Sequence, residues 1–223
     1  MDKTDNLLMK TKKTVFGIVT VTAFVSISYA ILRYNIFGQV PWKDLPFFIL
    51  NKAISLTAVI LFTISSISIF LNKNKVQIAQ KWIDSSAAIE SISFSLIIIH
   101  VFISLMLFKP EIFVKFFEEN GTLNLLGGIS MIAGIISFVL LWGIKLNSLS
   151  NTKNNYALYF FPKAISVVMI FIIIHLFFMG YSGWVTPEKW HGGMPPISLI
   201  AFVISSFGLL LKVFVRPFSI LKN

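Results

Sequence analysis

Six apolar segments dominate this chain, and each is long enough to cross a lipid bilayer. A transmembrane helix needs about 20 predominantly apolar residues. The segments that meet this length are 15–32, 53–71, 89–108, 123–144, 164–184 and 197–215. Shorter stretches that carry proline, asparagine and charged residues separate them. The pattern predicts an all-α integral membrane protein, a six-helix bundle that forms a single transmembrane domain over residues 1–223.

The composition also indicates an integral membrane protein, and it excludes several kinds of binding site. The chain is 56% hydrophobic and 13% charged, whereas a soluble domain carries about 25% charged residues. It has no cysteine, which excludes disulfides, thiolate metal sites and cysteine-bound iron–sulfur clusters. It has no glycine-rich nucleotide loop and no polar segment long enough to hold a flavin or nicotinamide cofactor. The net charge of +10 therefore indicates contact with anionic lipid rather than with nucleic acid.

The distribution of Lys and Arg predicts the orientation of the spans. Thirteen of the nineteen such residues lie on the side of the two termini, and six lie on the other side. The richer side is expected to be cytoplasmic, so we predict a cell-membrane protein with both termini in the cytoplasm. A basic stretch precedes the first span, as in a signal peptide. The span is long, however, and Arg33 follows it without a small-residue cleavage site, so we expect an uncleaved helix.

Two of the three histidines lie inside predicted spans, where ionisable side chains are costly and usually functional. His100 lies 8 residues before the outer end of the third span, and His175 lies 9 residues before the outer end of the fifth. At about 1.5 Å per residue, both rings are roughly 12–14 Å below the outer boundary. Two imidazoles from two helices at one depth suit the axial ligation of one b-type heme. We therefore predict that His100 and His175 bind heme iron.

A plainer interpretation stays open for both residues, namely that each histidine only hydrogen-bonds a neighbouring helix. A bare metal site is less expected, because no carboxylate or third ligand accompanies them. In a heme site, the second nitrogen of each ring needs a carbonyl or hydroxyl partner. Ser93 and Ser104 share a helical face with His100 and are candidates for that role.

Three other polar residues are weaker candidates. His191, in the last outer loop, could contact a heme propionate or a substrate metal, although simple solvation also explains it. Lys52, beside Asn51 at the start of the second span, could pair with a propionate or an anionic quinone head. Extension of the lysine toward the interface is the simpler interpretation. Glu90, near the inner end of the third span, could take up protons, but an ordinary interfacial carboxylate is the simpler interpretation.

Small residues form stripes along two of the spans. Such stripes usually let helices approach closely, and here they could alternatively make room for a flat cofactor. The fourth span carries Gly127, Gly128, Ser130 and Gly134, and the sixth carries Ser198, Ala201, Ser205 and Gly208.

The segments LIIIHVFISLM around His100 and IIIHLFFMGYSGW around His175 resemble the ferric reductase-like transmembrane family. That family includes the membrane parts of ferric reductases and NADPH oxidases, and the heme subunit that serves periplasmic methionine sulfoxide reductase. The resemblance covers roughly the second to sixth spans. It implies a b-type heme held between the third and fifth helices by His100 and His175, and electron transfer across the membrane.

The resemblance is incomplete at the positions of a second heme. Many family members carry a second histidine on each of the two helices, about four turns from the first. Here the corresponding positions hold residues that cannot ligate iron, namely Ser86, Ala87, Phe161 and Pro162. We therefore expect a single heme b.

Taken with the resemblance, the residues predict a heme-binding electron-transfer protein that acts as an oxidoreductase component. Electrons would come from a quinol or a flavoprotein donor and move toward the outer face. The lipid bilayer is the expected surrounding partner. Two alternatives stay open: a cofactor-free transporter, assembly or anchor subunit, and a quinone-reactive cytochrome b anchor subunit of a larger oxidoreductase. Catalytic residues, the electron acceptor and the oligomeric state stay open as well.

Overall fold

The computed structural model describes residues 3–73, 80–149 and 155–220, and this part of the chain is all-α. The long helices are α1 (Lys3–Ala30), α2 (Leu50–Lys73), α3 (Gln80–Leu107), α4 (Leu125–Leu149), α5 (Asn155–Trp184) and α6 (Ile197–Ile220). Each belongs to a helical segment long and apolar enough to cross a membrane. The all-α fold with six such helices is therefore confirmed, and it supports a multi-pass membrane protein.

Turns of other helical geometry extend the first two helices. The chain continues from α1 into a π-helical turn, Ile31–Ile36. A 3-10 turn, Trp42–Asp44, and a π-helical turn, Leu45–Ile49, lead into α2. Pro46 suits the start of this helical segment, because the backbone N–H that proline lacks would have no hydrogen-bond partner there. The second membrane-crossing segment therefore begins at Trp42, well before the predicted start at residue 53.

Packing divides the chain into two compact units. Unit 1 comprises Met1–Ile103 and Leu210–Asn223, and unit 2 comprises Ser104–Leu209. Unit 1 holds α1, α2, most of α3 and the end of α6, while unit 2 holds α4, α5 and most of α6. The single transmembrane domain over 1–223 stays a prediction.

Unit 1 is held together by apolar contacts and by buried serines. Val15 of α1, Leu61 of α2 and Ile89 of α3 form a buried cluster. The hydroxyl of Ser65 donates to the Ser86 carbonyl at 2.9 Å, which joins α2 to α3. In a membrane, such hydrogen bonds between helices satisfy hydroxyls that no water can reach. The residues packed against the apolar cluster are Ile18, Val19, Ile92 and Leu96.

Unit 2 is built on the packing of α4 against α5. Asn124 caps α4, since its Oδ1 accepts the backbone N–H of Gly127 at 2.9 Å. A Cβ at Gly127 would lie 2.8 Å from Cβ of the buried Phe116, so glycine permits this close approach. α5 is joined in turn to α6, because Trp184 Nε1 donates to Ser198 Oγ at 3.0 Å. Each helix of the unit is thus tied to its neighbour in sequence.

Candidate functional site

His100 lies on α3 in unit 1, and its side chain is half-buried. Its Nδ1 atom is 2.8 Å from Oδ1 of Asn51, an α2 residue that is only 5% exposed. An amide oxygen accepts hydrogen bonds and cannot donate them, so Nδ1 carries the ring proton. In the neutral ring, the lone pair is then on Nε2.

His175 lies on α5 in unit 2 and has the same tautomer for a similar reason. Its Nδ1 atom is 2.8 Å from the backbone oxygen of Ser130 on α4. The Ser130 hydroxyl is 3.2 Å from the same nitrogen and also 3.2 Å from the His175 backbone oxygen, to which it donates. Within the described residues, every hydrogen bond of the His175 ring is made by Nδ1. Its Nε2 therefore also carries a lone pair.

A glycine makes room for the His175 ring beside α4. A Cβ at Gly134 would lie 2.9 Å from Nδ1 and 3.3 Å from Cε1 of His175. Both distances are shorter than an ordinary contact, so a larger residue would displace the ring. Gly134 follows Ser130 by four residues, and both face the histidine. Ser130 and Gly134, two of the small residues on α4, thus allow the His175 side chain of α5 to approach α4 closely.

The two histidines share a chemical arrangement that suits a heme ligand. A histidine that binds a metal almost always donates its other ring N–H to an oxygen, which fixes the tautomer and orients the ring. Asn51 provides that oxygen for His100 and Ser130 provides it for His175. Each ring thus fits the donor chemistry that axial ligation of heme iron requires.

The partner of His100 was not predicted from the sequence. Ser93 and Ser104 were the predicted candidates, yet the Ser93 hydroxyl donates to the Ala58 carbonyl at 2.8 Å. The assignment of Ser93 is therefore wrong, and the observed partner of Nδ1 is an amide on another helix. In the sequence, Asn51 is marked only by its position beside Lys52.

Lys52 directs its ammonium group toward aromatic rings. Its Nζ atom is 4.4 Å from the ring centroid of Phe48 and 5.3 Å from that of Tyr34. The guanidinium carbon of Arg33 is also 5.3 Å from the Tyr34 centroid, and Arg33 is 5% exposed. In the sequence, Arg33 is only a charge that follows the first span, whereas the structure buries it near the same aromatic ring that Lys52 approaches.

His191 occupies an exposed turn of unit 2, His191–Gly193. Gly192 and Gly193 have φ values of 59° and 68°, a backbone conformation that favours glycine.

In the part of the chain that the structure describes, no group of three or more His, Cys, Asp or Glu side chains could hold a metal ion. Glu90 is half-buried on α3.

Comparison of the chain with models of known protein families and with curated protein sequences finds no match. The functional interpretation therefore rests on the histidines and on the groups that contact them.

Proposed function

We propose that this protein is a b-type cytochrome of the cell membrane, which binds one heme through His100 and His175 and moves electrons toward the outer face. One observation carries the proposal. Both histidines lie in the interior of helices apolar enough to cross a membrane, and both donate their Nδ1–H to an oxygen on another helix. This arrangement presents Nε2 as the electron-pair donor of each ring, as heme ligation requires.

The residues around the two rings have defined roles in this proposal. Asn51 and the Ser130 carbonyl keep the proton on Nδ1 and orient the rings. Gly134 leaves the space in which the His175 ring lies against α4. With the proton on Nδ1, the lone pair of each neutral ring lies on Nε2, the atom that would bind iron. The heme, when bound, supplies the one-electron chemistry.

The proposal extends to the ferric reductase-like transmembrane family, supported by the single histidine on the third and on the fifth of six helices. The chain has no nucleotide-binding motif, so its electrons would come from a quinol in the bilayer or from a flavoprotein partner. We also propose that both termini are cytoplasmic. The support is the excess of Lys and Arg on the side of the termini.

The visible spectrum of the purified protein tests the proposal. The protein would be expressed with a heme precursor in the medium, and reduced-minus-oxidised spectra recorded. We expect a Soret shift and the sharp α band of a six-coordinate, low-spin heme. His100→Ala and His175→Ala should each abolish the low-spin signal. His191→Ala is the matched control, because it removes the third histidine from an exposed turn, and it should retain the spectrum.

Three results would contradict the proposal. A protein without any Soret shift, although heme was supplied, does not bind heme. Retention of the low-spin spectrum in both His100→Ala and His175→Ala would show that other residues ligate the iron. An equal loss in His191→Ala would show that the losses are not specific to the two proposed ligands.

A further inference from the structure

The amide of Asn51 reaches His100 because α2 and α3 pack in a regular register. Three hydrogen bonds of 2.8–2.9 Å between these antiparallel helices recur at seven-residue intervals. Seven residues are close to two helical turns, so each helix presents the three positions along one line. The same register that joins the helices therefore places Asn51 opposite His100. The paired residues are Ser65 and Ser86, Ala58 and Ser93, and Asn51 and His100.

Burial makes the contact between Asn51 and His100 effective. Asn51 is 5% exposed, and both residues belong to unit 1. In a low-dielectric interior a hydrogen bond is stronger than in water, and solvent does not readily replace an acceptor that is removed. The electron density of the His100 ring thus depends on the acceptor that residue 51 provides.

The two histidines differ in how their acceptors are encoded. The acceptor for His175 is the backbone carbonyl of Ser130, which is present whatever side chain stands there. The acceptor for His100 is a side-chain amide, so the amino acid at position 51 determines its strength. An ionised carboxylate would hold the ring proton about twice as strongly as a neutral oxygen, and a hydrocarbon side chain would not hold it at all.

We propose that Asn51 is a positioning residue that sets the reduction potential of the heme by acting through His100. This inference rests on the proposed function. A histidine whose N–H is held by an acceptor is a more basic ligand, and a more basic ligand favours ferric over ferrous iron because it donates more charge to the metal. Hydrogen bonding around the axial ligands is one of the means by which a protein tunes a heme. The Asn51 amide thus lowers the potential relative to a chain without an acceptor at this position.

The test compares the affinities for the two oxidation states of heme. The full-length wild type and Asn51→Leu are titrated in detergent micelles with ferric and with ferrous heme, and the midpoint potential of each loaded protein is recorded by spectroelectrochemistry. Removal of the acceptor should weaken ferric binding about three- to tenfold more than ferrous binding, the scale of one hydrogen bond. For a one-electron couple this ratio is a rise in midpoint potential of about 30–60 mV. A residue that only supports packing would weaken both affinities alike and leave the potential unchanged.

Two further variants separate the acceptor from packing. Asn51→Asp keeps an acceptor oxygen at the same place, so its midpoint potential should lie at the wild-type value or below it. Ser93→Ala removes a buried hydroxyl from the same helix as His100, but the partner of that hydroxyl is the Ala58 carbonyl, so the potential should not change. If Asn51→Leu does not fold, Asn51→Val, which also lacks an acceptor, is measured in its place.

The outcomes distinguish this inference from the proposed function. An unchanged potential in Asn51→Leu, while His100→Ala abolishes the low-spin signal, would overturn the role of Asn51 and leave the heme assignment intact. A rise in Asn51→Asp or in Ser93→Ala as large as that in Asn51→Leu would also overturn it, because loss of the acceptor would not be the cause. A wild type that binds no heme would overturn both.

Discussion

The amide of Asn51 and the imidazole of His100 join α2 to α3 by one hydrogen bond of 2.8 Å. This bond determines which ring nitrogen carries the proton, because the amide oxygen can only accept. For His175 the corresponding acceptor is a backbone carbonyl, that of Ser130, which no substitution removes. Asn51 is therefore the position at which the control of a histidine tautomer can be tested by mutation.

Replacement of Asn51 by leucine should weaken heme binding. The substitution keeps a side chain of similar size but removes the acceptor for Nδ1–H, so the ring is no longer held in the tautomer with its lone pair on Nε2. Loss of such a supporting group typically costs about 10- to 100-fold in metal affinity. Titration of the heme-free protein with hemin, followed by Soret absorbance, measures the loss.

Ser93→Ala is the control for this experiment. Ser93 is fully buried on the same helix as His100, but its hydroxyl donates to the Ala58 carbonyl. Its removal should change heme affinity by no more than about twofold, because a hydrogen bond of this kind contributes only modestly to the fold. If Ser93→Ala and Asn51→Leu lose affinity equally, the Asn51 effect is one of packing and the assigned role is wrong.

Gly134→Ala should disturb His175 directly. The added Cβ would lie 2.9 Å from Nδ1 and 3.3 Å from Cε1 of the ring, so the ring or α4 must shift. Forced packing of this kind costs about 1–3 kcal/mol. We expect a lower unfolding temperature and a lower heme content per mole of protein.

Gly143→Ala, on the same helix, should raise the unfolding temperature rather than lower it. A Cβ at Gly143 meets nothing within 4 Å, so the only effect is to restrict the unfolded chain. Such a change stabilises a helix by about 0.4–1 kcal/mol. The unfolding temperatures of Gly134→Ala and Gly143→Ala are compared in the same detergent. A change of the same sign and size in both variants would contradict the contact between Gly134 and His175.

The apolar helices could be predicted from sequence, because an apolar segment of about 20 residues can satisfy its own backbone N–H and C=O groups in hydrocarbon by forming a continuous helix. The boundaries could not be predicted as well. Lys43, Asp44 and Pro46 interrupt the apolar run before the second span, so the sequence predicts a loop there. The structure is helical from Trp42 onward, since proline is tolerated in a first turn and charged residues are tolerated at a helix end.

This boundary explains why the partner of His100 was missed. With a span that begins at residue 53, Asn51 falls outside the membrane and far above the histidine. With a segment that begins at Trp42, Asn51 is 9 residues from its end, close to the 8 residues that separate His100 from Phe108. The depth of the two histidines was predictable from continuous apolar runs, but the depth of Asn51 depended on an irregular helix start.

The proposed orientation can be tested with single cysteines, because the chain has none of its own. Lys12→Cys and Glu188→Cys replace exposed residues near the N-terminus and in the connection between α5 and α6. A maleimide that cannot cross membranes should label Glu188→Cys on intact cells and Lys12→Cys only after permeabilisation. The reverse pattern would invert the assigned topology. Labelling of both positions on intact cells would contradict placement of the two sites on opposite sides.

A buried lysine in unit 1 gives a prediction about stability alone. Lys212, near the end of α6, is 6% exposed and donates through Nζ to the hydroxyl of Ser66 on α2. Ser66→Ala leaves the ammonium in place and removes one of its acceptors. Such a loss at a buried charged group costs about 1–3 kcal/mol.

Lys212→Met should cost less than Ser66→Ala. Methionine keeps most of the apolar stem and removes the charge, and replacement of a buried charged group by an apolar one is often neutral or stabilising. In the double variant no ammonium remains to be satisfied, so its stability should match that of Lys212→Met. The coupling between the two positions should then be about 1 kcal/mol or more in a double-mutant cycle. Unfolding in detergent micelles measures all four proteins, and strictly additive effects would show that the ammonium does not depend on the Ser66 hydroxyl.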